Sequence, residues 1–158
     1  MLTKYVCFFI VTTLVAGCSN APPKESPDVT KQKALAGTWS KEDEMAKFTW
    51  TIQPEGTFVL RIDATSGSIA ECYFRDIQVS GSWKVKDGRI VSLVTQSTCT
   101  RGWLTWELEL LGETLVPRIG SEWSDEIIEI LEDRCIIKSG SEHDKHVRPG
   151  SGTWYRVR

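Results

Sequence analysis

Ser82-Trp83-Lys84-Val85-Lys86-Asp87-Gly88-Arg89-Ile90-Val91 reads as a β-hairpin. β-prone residues alternate on both sides of Asp87-Gly88, and an Asp-Gly pair supplies the two positive-φ residues that a type I′ turn needs. The turn sets the register, with Val85 across from Ile90 and Trp83 across from Ser92. The same alternation recurs outward. Thr49-Trp50-Thr51-Ile52-Gln53 runs into Pro54-Glu55-Gly56, and Thr57 to Ile62 returns with Phe58, Leu60 and Ile62 on one face. Trp106 to Leu110 turns at Gly112-Glu113 into Thr114-Leu115-Val116. Ile127 to Leu131 turns at Glu132-Asp133 into Cys135 to Lys138, and Thr153 to Val157 forms a last β-prone run.

From Ala34 onward no stretch keeps a helical period for three turns. The count is about eight to ten short strands with turn signals between them. Only Ile119–Asp125 and Ser139–Gly152 read as longer loops. Consecutive antiparallel strands in this number remove their exposed edges by closing up. The expected fold is therefore all-β, a small antiparallel up-and-down barrel, with a β-sandwich as the alternative. Gly37-Thr38-Trp39, Gly81-Ser82-Trp83 and Gly152-Thr153-Trp154 repeat one pattern without a constant period. Glycine there lets a strand bend or bulge, and tryptophan plugs the end of the interior.

Leu35-Ala36-Gly37-Thr38-Trp39 resembles the Gly-x-Trp opening of lipocalin-like proteins. Gly81-Ser82-Trp83-Lys84-Val85-Lys86-Asp87-Gly88-Arg89-Ile90, the Ile130 to Lys138 run and Trp154-Tyr155-Arg156 follow the same pattern. The likeness is to small bacterial lipocalin-like domains, many of them on lipoproteins, and covers residues 34–158. It implies a barrel that holds a lipophilic molecule. A convincing C-terminal helix is lacking, and a barrel this short is open to being filled by its own side chains.

The N-terminal segment gives an address. Lys4, the mostly apolar run Tyr5 to Val15 and Val15-Ala16-Gly17 before Cys18 have the layout of a secretory signal peptide over residues 1–17. The run is about half the ~20 residues that span a bilayer. Val-Ala-Gly-Cys resembles the lipobox of bacterial lipoproteins. The resemblance implies a diacylglycerol on the Cys18 thiol, cleavage before Cys18 and an added N-acyl chain such as palmitate. Ser19 in the following position implies the outer membrane, with the domain facing the periplasm. Residues 18–33, with Pro22, Pro23 and Pro27 among polar side chains, read as a disordered tether. The expected order is signal, lipidated tether and one barrel domain over 34–158.

The chain has 158 residues and a net charge of −2, with no basic stripe, which argues against nucleic acid as a partner. None of its seven tryptophans lies before the domain, which points to an aromatic interior. Setting aside Cys7 in the signal and Cys18 as the acylated thiol leaves Cys72, Cys99 and Cys135. In an oxidising compartment a Cys72–Cys99 disulfide is the favoured pairing, with Cys135 as a small core residue; the other pairings among the three, or no bridge at all, are the alternatives.

Catalytic chemistry is poorly represented. His143 and His146 sit in Glu142-His143-Asp144-Lys145-His146, which reads as a charged loop, since Lys145 in its middle disfavours a cation. Ser66-Gly67-Ser68 reads as a turn rather than a nucleophile elbow. No cofactor motif is present, and the chain reads as non-enzymatic. Two functions follow. In the first, the barrel binds a small apolar or lipid-like molecule, lined by Trp50, Phe58, Trp83 and Trp154, with Arg61 or Arg75 meeting an anionic head group. In the second, the domain is a protein-binding module, such as an inhibitor of an envelope-degrading enzyme or an assembly accessory. Trp103 to Trp106 and Gly120–Trp123 would then be exposed anchors. Burial of Trp103 favours the first, and its exposure favours the second.

Overall fold

The computed structural model describes residues 25–105, 117–140 and 151–158. Eight strands run in chain order: β1 (Gly37–Glu42), β2 (Ala46–Ile52), β3 (Thr57–Ala64), β4 (Phe74–Lys86), β5 (Arg89–Arg101), β6 (Glu122–Ile130), β7 (Arg134–Ser139) and β8 (Gly152–Arg156). Each pairs antiparallel with the next, and β8 returns to β1 through Trp39↔Arg156 and Ser40↔Tyr155, so the sheet is a closed up-and-down barrel of lipocalin-like form. Closure rules out the sandwich. The Asp87-Gly88 hairpin has the expected register, Val85↔Ile90 and Trp83↔Ser92, with φ of 53° and 73° at the two turn residues.

Two readings change. Glu122–Asp125 are not loop but the start of β6, paired with Ile90 to Leu93. The period of two there puts Trp123 and Asp125 on the inward face, and the inward Asp125 hid the strand in the sequence. The expected tether ends in structure: from Pro27 onward it is helix α1 (Pro27–Leu35), which runs on into the first two residues of the expected domain. Ser26 caps it by accepting from the Val29 amide at 3.3 Å, Pro27 occupies the first turn, and Asp28 sits where the helix dipole favours an acid. The helix is held by the barrel rather than by its own composition. The Asp28 carboxylate accepts from the Asp87 and Gly88 amides at 2.9 and 3.1 Å, and Leu35 is fully buried. The hairpin Trp106–Val116 and the loop with His143 and His146 lie outside the described residues, as do residues 1–24.

Inward positions form one aromatic core: Trp39, Phe48, Trp50, Phe58, Trp83, Trp123 and Trp154 are all buried. The Gly-[Ser/Thr]-Trp repeats behave as read. Gly37 and Gly152 have φ of 137° and 143°, conformations closed to other residues. Gly81 lies at a bulge, where Thr95 is the extra residue of β5, and a Cβ on Gly81 would stand 1.9 Å from the Leu93 carbonyl oxygen.

One end of the barrel is closed by a latch. The Arg156 guanidinium stacks on the Trp39 ring, its Cζ 4.2 Å from the ring centroid. It donates to Glu132 O from Nε (2.8 Å), to Ala36 O from Nη1 (3.0 Å) and to Ala34 O from Nη2 (2.8 Å). The Trp39 indole donates to Leu35 O at 2.7 Å. One side chain on the last strand thus ties β8, the β6–β7 turn and the exit of α1 to the first strand.

We expect Arg156→Ala to cost about 2–4 kcal/mol in urea denaturation, since it strips three carbonyls of a charged donor and Trp39 of its stacked cation. Arg156→Lys should recover less than half of that loss, because an ammonium cannot fork to three acceptors.

Candidate functional site

The end opposite the latch includes Asp43–Met45, the chain after β3 and the residues that directly follow β5. There α2 (Ile69–Tyr73) leads into β4, and β5 runs on into Gly102–Thr105. The segment after β5 is pinned to the chain before β4. Gly102 N donates to Tyr73 O at 3.0 Å, Leu104 N to Cys72 O at 2.7 Å, and Thr105 Oγ1 to Tyr73 O at 2.6 Å. Gly102 is required, because a Cβ there would fall 2.3 Å from Cys72 O. Backbone fixed in this way holds Trp103 outward, and the residue is 72% exposed.

Arg75 joins it through a defect in the ladder. Phe74 pairs with Arg101 but Asp76 with Thr100, so Arg75 is the extra residue of a bulge. A bulge re-aims a side chain off the sheet's regular faces. Arg75 is exposed and shares with Glu71, Cys72, Gly102 and Trp103 a recess of about 160 Å³. Ile69, 62% exposed, stands on α2 of the same end.

The residues expected to line a ligand are partly reassigned. Trp50, Phe58, Trp83 and Trp154 are all interior, and they pack on side chains. Ring centroids lie 5.6 Å apart for Trp50 and Trp154, 6.5 Å for Trp50 and Phe58, and 6.1 Å for Phe58 and Trp123. Trp83 sits at the latched end and donates to Gln53 O at 2.9 Å. The indole N–H groups of Trp50 and Trp154 are buried with no acceptor among the described residues. Neither arginine faces the interior. Arg61 follows the alternation of β3 outward and pairs with Asp63 at 2.8 Å, and Arg75 is displaced by its bulge.

The inward cation is Lys41, which the sequence reading passed over although it lies two residues beyond the inward Trp39. Its Nζ is 5.1 Å from the Phe48 ring centroid and 5.5 Å from that of Trp154, and it donates to Ser151 O at 3.0 Å. Burial lowers its pKa from the ordinary lysine value, with Asp43 acting in the opposite direction.

The Cys72–Cys99 disulfide is not formed. Cys72, Cys99 and Cys135 are free thiols. Cys99 is registered with Ile77 in mid-ladder, whereas the Cys72 backbone faces Gly102 and Leu104, so the two do not stand opposite each other. The helical turn of α2 takes Cys72 off the ladder, and a strand-by-strand reading had no sign of it. Burial raises the pKa of Cys99, and it pushes that of Cys135 up to about 12 from the ordinary 9.0. Of the expected anchors, Trp103 is exposed and Trp123 is buried; Trp106 lies outside the described residues. Among the described residues, no three His, Cys, Asp or Glu side chains gather as a metal site.

No protein-family model matches the chain, and no curated protein is detectably similar to it in sequence.

Cys135 gives a pH signature. Below the unfolded thiol's pKa, folded and unfolded chains both hold the proton, and stability is unaffected. Above it only the unfolded chain releases the proton, so stability falls as the pH rises from 9.0 toward about 12. The loss should reach the order of 3 kcal/mol in denaturation midpoints followed across that range. Cys135→Ala should lack this component of the alkaline slope.

Proposed function

We propose that this chain is a non-catalytic envelope lipoprotein whose barrel recognises a folded protein partner through the Trp103 face. The anchor in this reading is Cys18 in Val15-Ala16-Gly17-Cys18, and the location is the outer membrane, facing the periplasm. The observation that carries the reading is the 72% exposure of Trp103 on a backbone pinned by three hydrogen bonds. An exposed tryptophan contributes nothing to the core. With the backbone around it already fixed, less conformational freedom is lost on binding, which suits an interface hot spot. Arg75 beside it adds a forked donor for a partner carboxylate or carbonyl.

A second reading, a small lipid-like ligand within the barrel, is favoured by Lys41 over Phe48 and Trp154 and by the indole donors of Trp50 and Trp154, which have no acceptor among the described residues. In that reading Lys41 takes the head-group role first given to Arg61 or Arg75. Interlocked aromatic rings in the same interior favour the outer-surface reading over it.

The partner reading is tested by cross-linking mass spectrometry of envelopes carrying the full chain. Trp103→Ala should reduce saturable protein adducts by about 30-fold or more, the loss of a hot spot of ~2 kcal/mol. It should leave folding stability within about 0.5 kcal/mol, as expected for an exposed side chain. An unchanged adduct pattern in Trp103→Ala, or the absence of any saturable adduct in the parent chain, contradicts the proposal.

A further inference from the structure

The latched end of the barrel carries a second set of exposed side chains, and these are apolar. A bulge again does the placing. Ile127 pairs with Ile137 but Glu129 with Ile136, so Ile128 is the extra residue of β6. It is turned outward and is 54% exposed. Between this bulge and α1 lies a groove of about 250 Å³ whose walls include Ala34, Ile127, Ile128 and Ile130. Val29 on α1, Leu131 at the β6–β7 turn and Val157 after β8 are 43%, 41% and 48% exposed at the same end. The charges around them are mixed: Lys33 pairs with Glu25 and Arg134 with Glu129 at 3.7 Å, while Lys31 lies in the groove wall, Glu132 and Asp133 stand beside Leu131, and Arg158 follows Val157. The exposed apolar side chains thus sit in a rim of both signs, Lys31, Lys33, Arg134 and Arg158 against Glu25, Glu129, Glu132 and Asp133, and neither sign selects a charged partner.

Chain length decides what this end faces. Only eight residue steps separate Cys18 from Ser26, the cap of α1. Whatever conformation that stretch takes, it spans at most about 29 Å. Ser26 stands at the latched end, since Asp28, two residues on, is bonded to the Asp87-Gly88 turn. Trp103 lies beyond the other end of the same hairpin, whose β4 strand has thirteen residues. That strand length is about 40 Å, or roughly 35 Å in a straight line once the strand coils around the barrel. An anchor at Cys18 is too short to let the Trp103 end turn down to the lipid.

We infer that the latched end, through Ile128, Leu131, Val29 and Val157, lies against the lipid head groups, so that the Trp103 face points away from the membrane. The inference rests on the lipid-anchor reading of Cys18. It gives the two ends of one barrel opposite duties. Apolar residues in a rim of mixed charge suit the bilayer interface, where a modest apolar area adds to an anchor that already holds the protein there. The recess with Trp103 and Arg75 is left facing solvent.

The test uses the full lipidated chain in phosphatidylethanolamine–phosphatidylglycerol vesicles, with a benzophenone amino acid placed in turn at Ile128, Leu131 and Trp103. All three positions are exposed, and far-UV circular dichroism checks each fold. Lipid adducts should form at 128 and 131 with yields exceeding that at 103 by about tenfold or more, as for side chains at the acyl boundary. The yields should be the same in low and high salt, because the contact is apolar. Vesicle-bound chain with adducts at 103 equal to those at 128 and 131, or with none at 128 and 131, overturns the orientation while leaving the anchor intact. Cys18→Ser should separate from the vesicles; if it stays bound like the parent, the anchor reading fails and the orientation falls with it.

Discussion

The stack of Arg156 on Trp39 is the contact on which the rest of this barrel depends. An eight-stranded sheet closes only if its last strand finds its first, and β8 meets β1 over just two registered pairs. Two residue pairs make a weak seam. Arg156 reinforces it from one side with three hydrogen bonds to carbonyls on two other segments and a cation over the indole. Carbonyls at a helix exit and a tight turn have no ladder partner, so a forked donor is the group that satisfies them together. Gly37 is part of the same device, because a Cβ there would meet the Arg156 Nη1 at 2.5 Å.

With one end sealed, interior tryptophans take the space that a larger barrel would leave open. Trp154, Trp50, Phe58 and Trp123 touch in that order across the core. In a domain this small, such aromatic burial brings a large apolar area to the core. The features that differ from a plain filled barrel lie at its ends. Each is made by a bulge: Arg75 at the end with Trp103, and Ile128 at the latched end. An extra residue cannot join the ladder, and it is free to serve a contact outside it.

Much of the fold was legible because it rests on local chemistry. Asp87-Gly88 specified a turn, the turn specified a register, and the register placed Trp83 and Val85 inside. Gly-[Ser/Thr]-Trp marked three inward tryptophans. What was missed depends on tertiary context. Pro27–Leu35 has no apolar stripe and is helical because Asp28 and Leu35 find partners on the barrel. Asp125 looked like loop chemistry and is an inward strand residue. Arg61, Arg75 and Ile128 show the limits of counting by twos. Arg61 obeyed the alternation and pointed out, whereas the bulges at Arg75 and Ile128 broke it. Cys72 left the ladder in a single helical turn, and the expected disulfide went with it. The exposure of Trp103 was posed by the sequence as a question, and only packing answers it.

The central claim is that this barrel recognises its partner with an outer face and keeps its interior for its own side chains. Native mass spectrometry of the lipidated chain, extracted gently from its own membrane, tests it most directly. The account predicts an intact mass equal to the polypeptide with its acyl groups, and no retained small molecule in repeated preparations. A stoichiometric small molecule that leaves only on unfolding would contradict it and would move recognition to Lys41 and the indoles of Trp50 and Trp154.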